Sequence, residues 1–239
     1  MEKEIYSQSN STTIDIGLRS YMQKVYNFMA GGLCLTAAFA WIVANTSLIN
    51  IFFNITPQGA TLSGFGWITF IAPLIMVFAF GWVVNSGTAN QVKLLFWCYA
   101  AIMGISLTPI FLLYTNSSLV RVFLITAGSF GALSLYGYTT KKDLTGFGSF
   151  LYMGLFGLII ALIVNIFLKS SGLDWALSFI GVGIFSGLTA YDSQRIRSIY
   201  TYADNDETTT KKALTGALSL YLDFINLFLY LLRFLGDRR

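Results

Sequence analysis

The chain has 239 residues, 55% of them hydrophobic and only 11% charged, with a mean hydropathy of +0.66 and no histidine. A soluble domain carries about 25% charged residues, so this composition excludes an ordinary soluble enzyme and reads as a polytopic membrane protein. The net charge of +4 is modest; it informs through its placement and gives no nucleic-acid footprint.

Residues 1–27 form a polar N-terminal segment with Glu2, Lys3, Glu4, Asp15, Arg19 and Lys24. That lead is too long and too acidic for a secretory signal. "AFA" at Ala38–Ala40 imitates a cleavage site, but the apolar run continues past it. The first run therefore reads as an uncleaved span.

Residues 28–239 read as a seven-helix transmembrane domain, all-α. A bilayer core about 30 Å thick needs about 20 apolar residues in a helix. Seven stretches qualify: about Phe28–Ile49, Phe65–Val84, Leu94–Leu113, Val122–Tyr138, Phe147–Leu168, Trp175–Tyr191 and Ala213–Leu235. "NITPQGATLSG" separates the first two as a polar, Gly- and Pro-containing turn. The loop after the sixth span, about Ser193–Lys212, is the long one. Small residues at helical spacing, Gly183 with Gly187 in the sixth span and Gly128, Ala132 and Gly154 elsewhere, predict close helix approaches in lipid. Cys34 and Cys98 lie inside apolar runs and read as inert small hydrophobes rather than a disulfide. Without a Cys/His cluster there is no structural zinc site.

Positive charge sets orientation. With the N-terminus inside, the inner segments hold ten of the 15 Lys and Arg. The outer segments hold five: Arg121, Lys169, Arg233, Arg238 and Arg239. The expectation is N-inside and C-outside. A reentrant last segment with both ends inside is the alternative, because an acid interrupts that run.

That acid is Asp223, within "ALSLYLDFINLFLYLLRFLG"; a second, Asp192, follows the apolar run in "GVGIFSGLTAYDSQRIRSIY". A charge at mid-bilayer costs from about 2.5 kcal/mol upward, so such residues face a bundle interior or water. The sixth and seventh helices run antiparallel and share an inner loop, which puts both acids in the inner half of the membrane. Two carboxyls in low dielectric do not both ionise cheaply and hold one proton between them. Losing it creates an oxygen site suited to a hard cation such as calcium. Asp192 and Asp223 thus read as a proton sensor and a cation site together, and as a gate if packing follows protonation. Blander readings stand beside this one. Asp192 could pair with Arg195 one turn on, and Asp223 with an Arg from another span. Asn226, Tyr191 and Tyr221 read as packing residues.

At these residues the chain resembles the Bax inhibitor-1 family, also called the transmembrane Bax inhibitor motif family. "GLTAYDSQRI" and "ALSLYLDFINLFLYLLRFLG" are similar to its two most characteristic stretches. "DIGLRSYMQKVYNFMAGGL" resembles the opening of its bacterial members, and "GSFLYMGLFGLIIALIVNIFLKSSGLDWA" their fifth span and following loop. The resemblance covers about Asp15 to Arg239. It implies seven membrane helices with the acidic seventh at the centre, and a bacterial plasma (inner) membrane location. It also implies a pH-sensitive calcium leak with Asp192 and Asp223 as its acid pair. Calcium is then a transported ion, no cofactor is involved, and the partners are the bilayer, the cation and no nucleic acid. Some relatives carry basic residues at the inner end of the second span, one of which latches onto the seventh-helix acid. Here that region, "FAFGWVVNSGTANQ", has no charge, so a gate closes through the acid pair alone or through another basic residue.

Other classes fit less well. An intramembrane aspartyl protease also places one Asp in each of two neighbouring helices, and "AYD" suits it. The second acid, however, lies in "LYLD" rather than Gly-x-Gly-Asp, and Pro57, Pro73 and Pro109 are all far upstream. A retinal receptor needs a Lys within the seventh helix, whereas Lys211 and Lys212 precede it. The reading is therefore of a non-enzyme. A non-conducting regulatory or interaction protein of the membrane, with an unknown protein partner, is its alternative.

Overall fold

The computed structural model describes the backbone of residues 2–56 and 59–239 and the side chains of residues 16–54 and 61–239. Nine helices and one hairpin make up the described residues. Helix α1 (Glu2–Ala44) is followed by a short α2 (Ile49–Phe52) and strands β1 (Phe53–Thr56) and β2 (Gly59–Leu62). Then come α3 (Gly64–Ser86), α4 (Ala89–Ser106), the short α5 (Pro109–Leu113) and α6 (Asn116–Thr139). The last three are α7 (Thr145–Leu168), α8 (Ser171–Ser198) and α9 (Asp206–Leu235).

Seven helical stretches are long and apolar enough to cross a membrane: Ile16–Ala44, Gly64–Ser86, Ala89–Leu113, Asn116–Thr139, Thr145–Leu168, Ser171–Ser198 and Asp206–Leu235. The first sequence-predicted span, expected to reach Ile49, ends with α1 at Ala44. The other predicted spans fall inside these stretches, and helices run past the ends of the apolar runs. α1 starts far upstream of Phe28, so the polar lead and the first span form one continuous helix. α8 continues through Asp192 to Ser198. α9 is unbroken over 30 residues, which is the form of a spanning helix rather than a reentrant one.

Local chemistry explains the helix starts. Ser63 caps α3 by accepting from the Gly66 N–H at 3.0 Å. Thr88 and Gln91 close a reciprocal capping box on α4, and Thr115 caps α6, each satisfying donors that a helix start leaves orphaned. The span Ala89–Leu113 is interrupted before Pro109, whose missing N–H cannot continue α4. The connection expected as a polar turn is instead an antiparallel hairpin, with Phe53 opposite Leu62 and Thr56 opposite Gly59; Pro57 and Gln58 lie outside the described residues.

Contacts group the chain into two compact units, Met1–Pro109 with Ile196–Leu218, and Ile110–Arg195 with Ser219–Arg239. In the first, α1 and α4 meet through Phe28, Phe96 and Trp97. The Thr36 hydroxyl donates to the Ala100 carbonyl at 2.8 Å. The start of α9 is tied to α1 where Lys24 donates to Thr210 at 2.7 Å. In the second, Phe224 of α9 packs edge-on against Phe123 and Phe130 of α6. Tyr230 of α9 stacks on Phe185 of α8.

The exterior is apolar. Trp67, Phe70, Phe78 and Trp82 of α3 and Phe150, Phe156 and Phe167 of α7 are all exposed. Helices this apolar on their outer faces have lipid as their solvent. Half of the α9 apolar window is buried, against 11% for α3 and for α7. The seventh span is therefore the most enclosed of the seven, which is where an acid needs to be. Cys34 and Cys98 are free thiols as expected of their pairing, but exposed rather than buried.

Candidate functional site

The site lies within the second unit and is built by three helices. α8 carries Asp192, α9 carries Asp223, and α7 backs α8. The segment Ala190–Ser193 is held from two sides by glycines. Gly137 of α6 lies directly on the Ala190 carbonyl, so a Cβ there would overlap backbone. Gly148 of α7 lies under the Tyr191 ring, which a Cβ would also overlap. The Ser134 and Ser193 hydroxyls join α6 to α8 at 2.7 Å. These contacts bring the backbones close, as small residues do between membrane helices, and fix which way Asp192 points.

Asp192 and Asp223 are 4% and 5% exposed, enough to remove both carboxyls from bulk solvent. Their side chains bear directly on each other, within hydrogen-bonding reach. On Asp192, Oδ1 receives a long hydrogen bond from the Tyr152 hydroxyl of α7 at 3.4 Å. The Arg195 guanidinium, one turn along α8, also acts on Asp192 through its charge. Asp223 is served less well: its Oδ2 is buried without a hydrogen-bond partner.

Both sequence-predicted site residues are therefore side by side. The blander pairing of Asp192 with Arg195 coexists with this arrangement rather than replacing it. Among the described residues the charge that acts on Asp223 is that of Asp192 rather than of an arginine. Arg233 pairs with Asp174 at 3.2 Å and Arg121 with Asp237 at 2.9 Å. Asn226 donates to the Leu222 carbonyl of its own helix at 2.8 Å, and Tyr221 is fully buried packing. The small-residue expectation needs correction in the sixth span. Gly187 does meet Leu151 and Phe147 of α7, but Gly183 has nothing within 4 Å, and Gly181 is the glycine that receives Tyr230 of α9. Periodicity gives the spacing of small residues but not which face meets a neighbour.

Tyr152 was not among the sequence-predicted site residues. In "GSFLYMGLFG" it reads as one aromatic among many on an apolar helix. The signal that could have found it is Gly148, four residues earlier and so on the same face. A glycine there marks the face that touches α8.

Chemically, the two carboxyls offer at most four oxygens. Among the described residues no third Asp, Glu, His or Cys joins them. A calcium ion takes six to eight oxygens, so this set suits an ion that keeps part of its water shell rather than a resident structural ion.

Seven long apolar helices, and a buried acid pair within the second unit, define a multi-pass helical membrane protein. Comparison with known proteins narrows the class. The family described as "Inhibitor of apoptosis-promoting Bax1" matches residues 18–239. An uncharacterized protein of Rickettsia prowazekii is 47% identical, over 99% of this chain and 98% of its own. The inner membrane protein YbhL of Escherichia coli K12 is 45% identical, over 93% of this chain and 94% of its own. An uncharacterized protein of Caulobacter vibrioides is 43% identical, over 95% and 92%. The chain belongs to the Bax inhibitor-1 family.

Proposed function

We propose that this protein is a pH-sensitive cation leak channel of the bacterial inner membrane, passing calcium, with Asp192 and Asp223 as its proton sensor and cation site. The observation that carries the reading is a pair of buried carboxyls from α8 and α9, with one Asp223 oxygen left without a partner. A buried polar group without a partner costs about 1–3 kcal/mol, and a second acid beside it adds repulsion when both ionise. Such an arrangement is satisfied by something that arrives: a proton shared by the pair, or a cation once that proton leaves. The position in the most enclosed helix makes the pair's occupancy a packing event for the bundle. The inner-membrane location draws on the name of the relative from Escherichia coli.

The test is calcium flux into proteoliposomes as a function of pH, for the native chain, Asp192→Asn and Asp223→Asn. The proposal expects altered flux and a flattened pH profile in both variants. Native flux and an unchanged profile in both would overturn it. No flux from the purified native chain, together with co-purification of a stoichiometric membrane partner, would favour a non-conducting regulatory protein.

A further inference from the structure

We propose that the cavity between the β-hairpin and the break in the third span is a lipid site, which takes a stretch of one acyl chain of a bilayer phospholipid and recognises the hydrocarbon rather than the headgroup. The inference concerns the first unit and is independent of the acid pair.

The cavity is built where regular structure is interrupted. Phe53 and Leu62 are partners at the base of the hairpin, and cross-strand partners stand on the same face. Gly66, in the first turn of α3, lies so close to the Phe52 carbonyl and to Leu62 that a Cβ there would overlap backbone. Ser63 ties the same corner. Its hydroxyl donates to the Ile51 carbonyl and accepts from the Gly66 N–H at 3.0 Å, and its own N–H donates to the Phe52 carbonyl at 3.0 Å. The hairpin base is thus pinned to the start of α3. The remaining wall comes from the third span, where α4 stops at Ser106 and α5 starts at Pro109, which has no N–H to continue the ladder. Between these walls lies a cavity of about 170 Å³, which Thr69 and Phe70 of α3 also line.

The walls decide the occupant. An apolar cavity of about 150 Å³ stays dry and holds a guest the size of benzene, because a water needs two to four polar partners. The Thr69 hydroxyl is committed to the Gly66 carbonyl at 3.0 Å. Ser106 brings one further hydroxyl to a wall that is otherwise rings and aliphatic carbon, too few groups to hold water. Left empty, such a wall forfeits dispersion contacts, so the guest is hydrocarbon. The bilayer supplies it, because the cavity is continuous with the lipid-facing surface. Phe70 lines the cavity and is 58% exposed, and Trp67, edge-on to it at 6.2 Å, is 55% exposed. Trp67 stands one turn into the span that begins at Gly64, the depth at which tryptophans anchor at the membrane–water interface. The cavity therefore opens at the level of the acyl chains just below the headgroups. No Lys, Arg, Asp or Glu occurs from Val25 to Val92. The hairpin and α3 consequently give a headgroup no charge to pair with, and the chain is what they select.

The experiment is native mass spectrometry of the purified chain in a mild detergent, with phosphatidylcholine or phosphatidylglycerol of identical acyl chains added. One phospholipid per chain is expected, retained equally for the neutral and the anionic headgroup. Ser106→Phe, which fills the cavity, should weaken retention on the order of ten-fold, as the loss of about ten close carbon contacts would. A second arm uses Ser106→Cys, close to isosteric, so it stands even if the Phe variant does not fold. Modification of the introduced thiol by N-ethylmaleimide should slow several-fold when phospholipid is added to delipidated protein. Cys98, exposed on the same helix and not part of the cavity wall, serves as the reference in the same digest. Equal retention by the folded Ser106→Phe chain, or a thiol that lipid does not protect relative to Cys98, overturns the site. Preferential retention of phosphatidylglycerol overturns it too, because it moves the lipid to a basic surface. So does a thiol already shielded in delipidated protein that the spectrum shows as a dimer, since the occupant is then a second copy of the chain.

Discussion

Replacing Asp223 by Asn should stabilise the fold while it disables the pH response. The exchange conserves shape and removes the acid. Asp223 is 5% exposed and one of its oxygens has no partner. An unsatisfied buried group costs about 1–3 kcal/mol, and removing one of two facing acids also ends their repulsion. The amide can donate to the Asp192 carboxyl, which a carboxylate cannot do. Together these make the Asn variant more stable by about 2 kcal/mol. For a chain of this size that is an increase in Tm of about 4–8 °C. The assay is thermal unfolding of the detergent-solubilised protein, followed by size-exclusion chromatography, at pH 5 and pH 8. The gain should be larger at pH 8, where the native pair has fewer protons to relieve it. A variant less stable than native at both pH values would refute the reasoning, because it would make the Asp223 carboxylate a structural ion-pair partner rather than a strained sensor.

The glycines around Asp192 give a second set of expectations. Gly148→Ala and Gly137→Ala each force a methyl into the Tyr191 ring or the Ala190 carbonyl. Overpacking of this kind costs about 1–3 kcal/mol, so Tm should fall by about 2–12 °C, and Gly131→Ala, with nothing within 4 Å, should change little. Asp143, in the turn between α6 and α7, accepts hydrogen bonds from the Thr145 hydroxyl at 2.6 Å and the Thr145 N–H at 2.9 Å. These hold its carboxyl below the usual carboxylate range. A depressed folded-state value means the bonds' contribution is complete above the unfolded value, about 3.9, and is lost as pH falls through the folded one. Exchange of the Thr145 amide should therefore lose protection only below that range, and Asp143→Ala should lose it at every pH. Arg233→Ala breaks an ion pair with Asp174 whose side chains are about two-fifths exposed; the loss should be under about 1 kcal/mol, read as a Tm change of at most about 4 °C.

Hydropathy located the spans because a helix in lipid must be apolar for about 20 residues whatever its neighbours. It missed the span ends because helices do not stop where apolarity does. "DETTTKK" is polar, yet it forms the first turns of α9, with Asp206 and Glu207 at the favourable end of the helix dipole. The hairpin at Phe53–Leu62 was hidden for a related reason: Gly, Thr and Asn read as a turn, and cross-strand pairing is not written in one strand. The acid pair was legible because each charge is costly alone, which makes a partner predictable. Tyr152 was not, since a tyrosine costs little in a membrane and so announces nothing. Gly181 and Gly183 show the remaining gap. Both are small and both lie on α8, but only Gly181 faces a ring.

The donors around the pair argue for its role. Buried hydroxyls of α6 and α8 are committed to their own helices: Thr126 donates to Val122, Thr189 to Phe185 and Ser193 to Thr189, each to the carbonyl one turn back. Their protons are spent on backbone, so they present lone pairs rather than N–H or O–H groups. Asp192 has Tyr152 and the charge of Arg195, while Asp223 Oδ2 has no partner. A structural carboxylate would be ringed by donors. This pair is supplied on its α8 side and left wanting on its α9 side, so an incoming proton or cation finds its unmet oxygen on the most enclosed helix. Supplying that oxygen from within should therefore remove the need for either. A donor placed by Asp223→Asn is predicted to leave flux that no longer follows pH, and Asp192→Asn to do the same. If both variants merely shifted the midpoint, the two acids would be acting independently and the shared site would not exist.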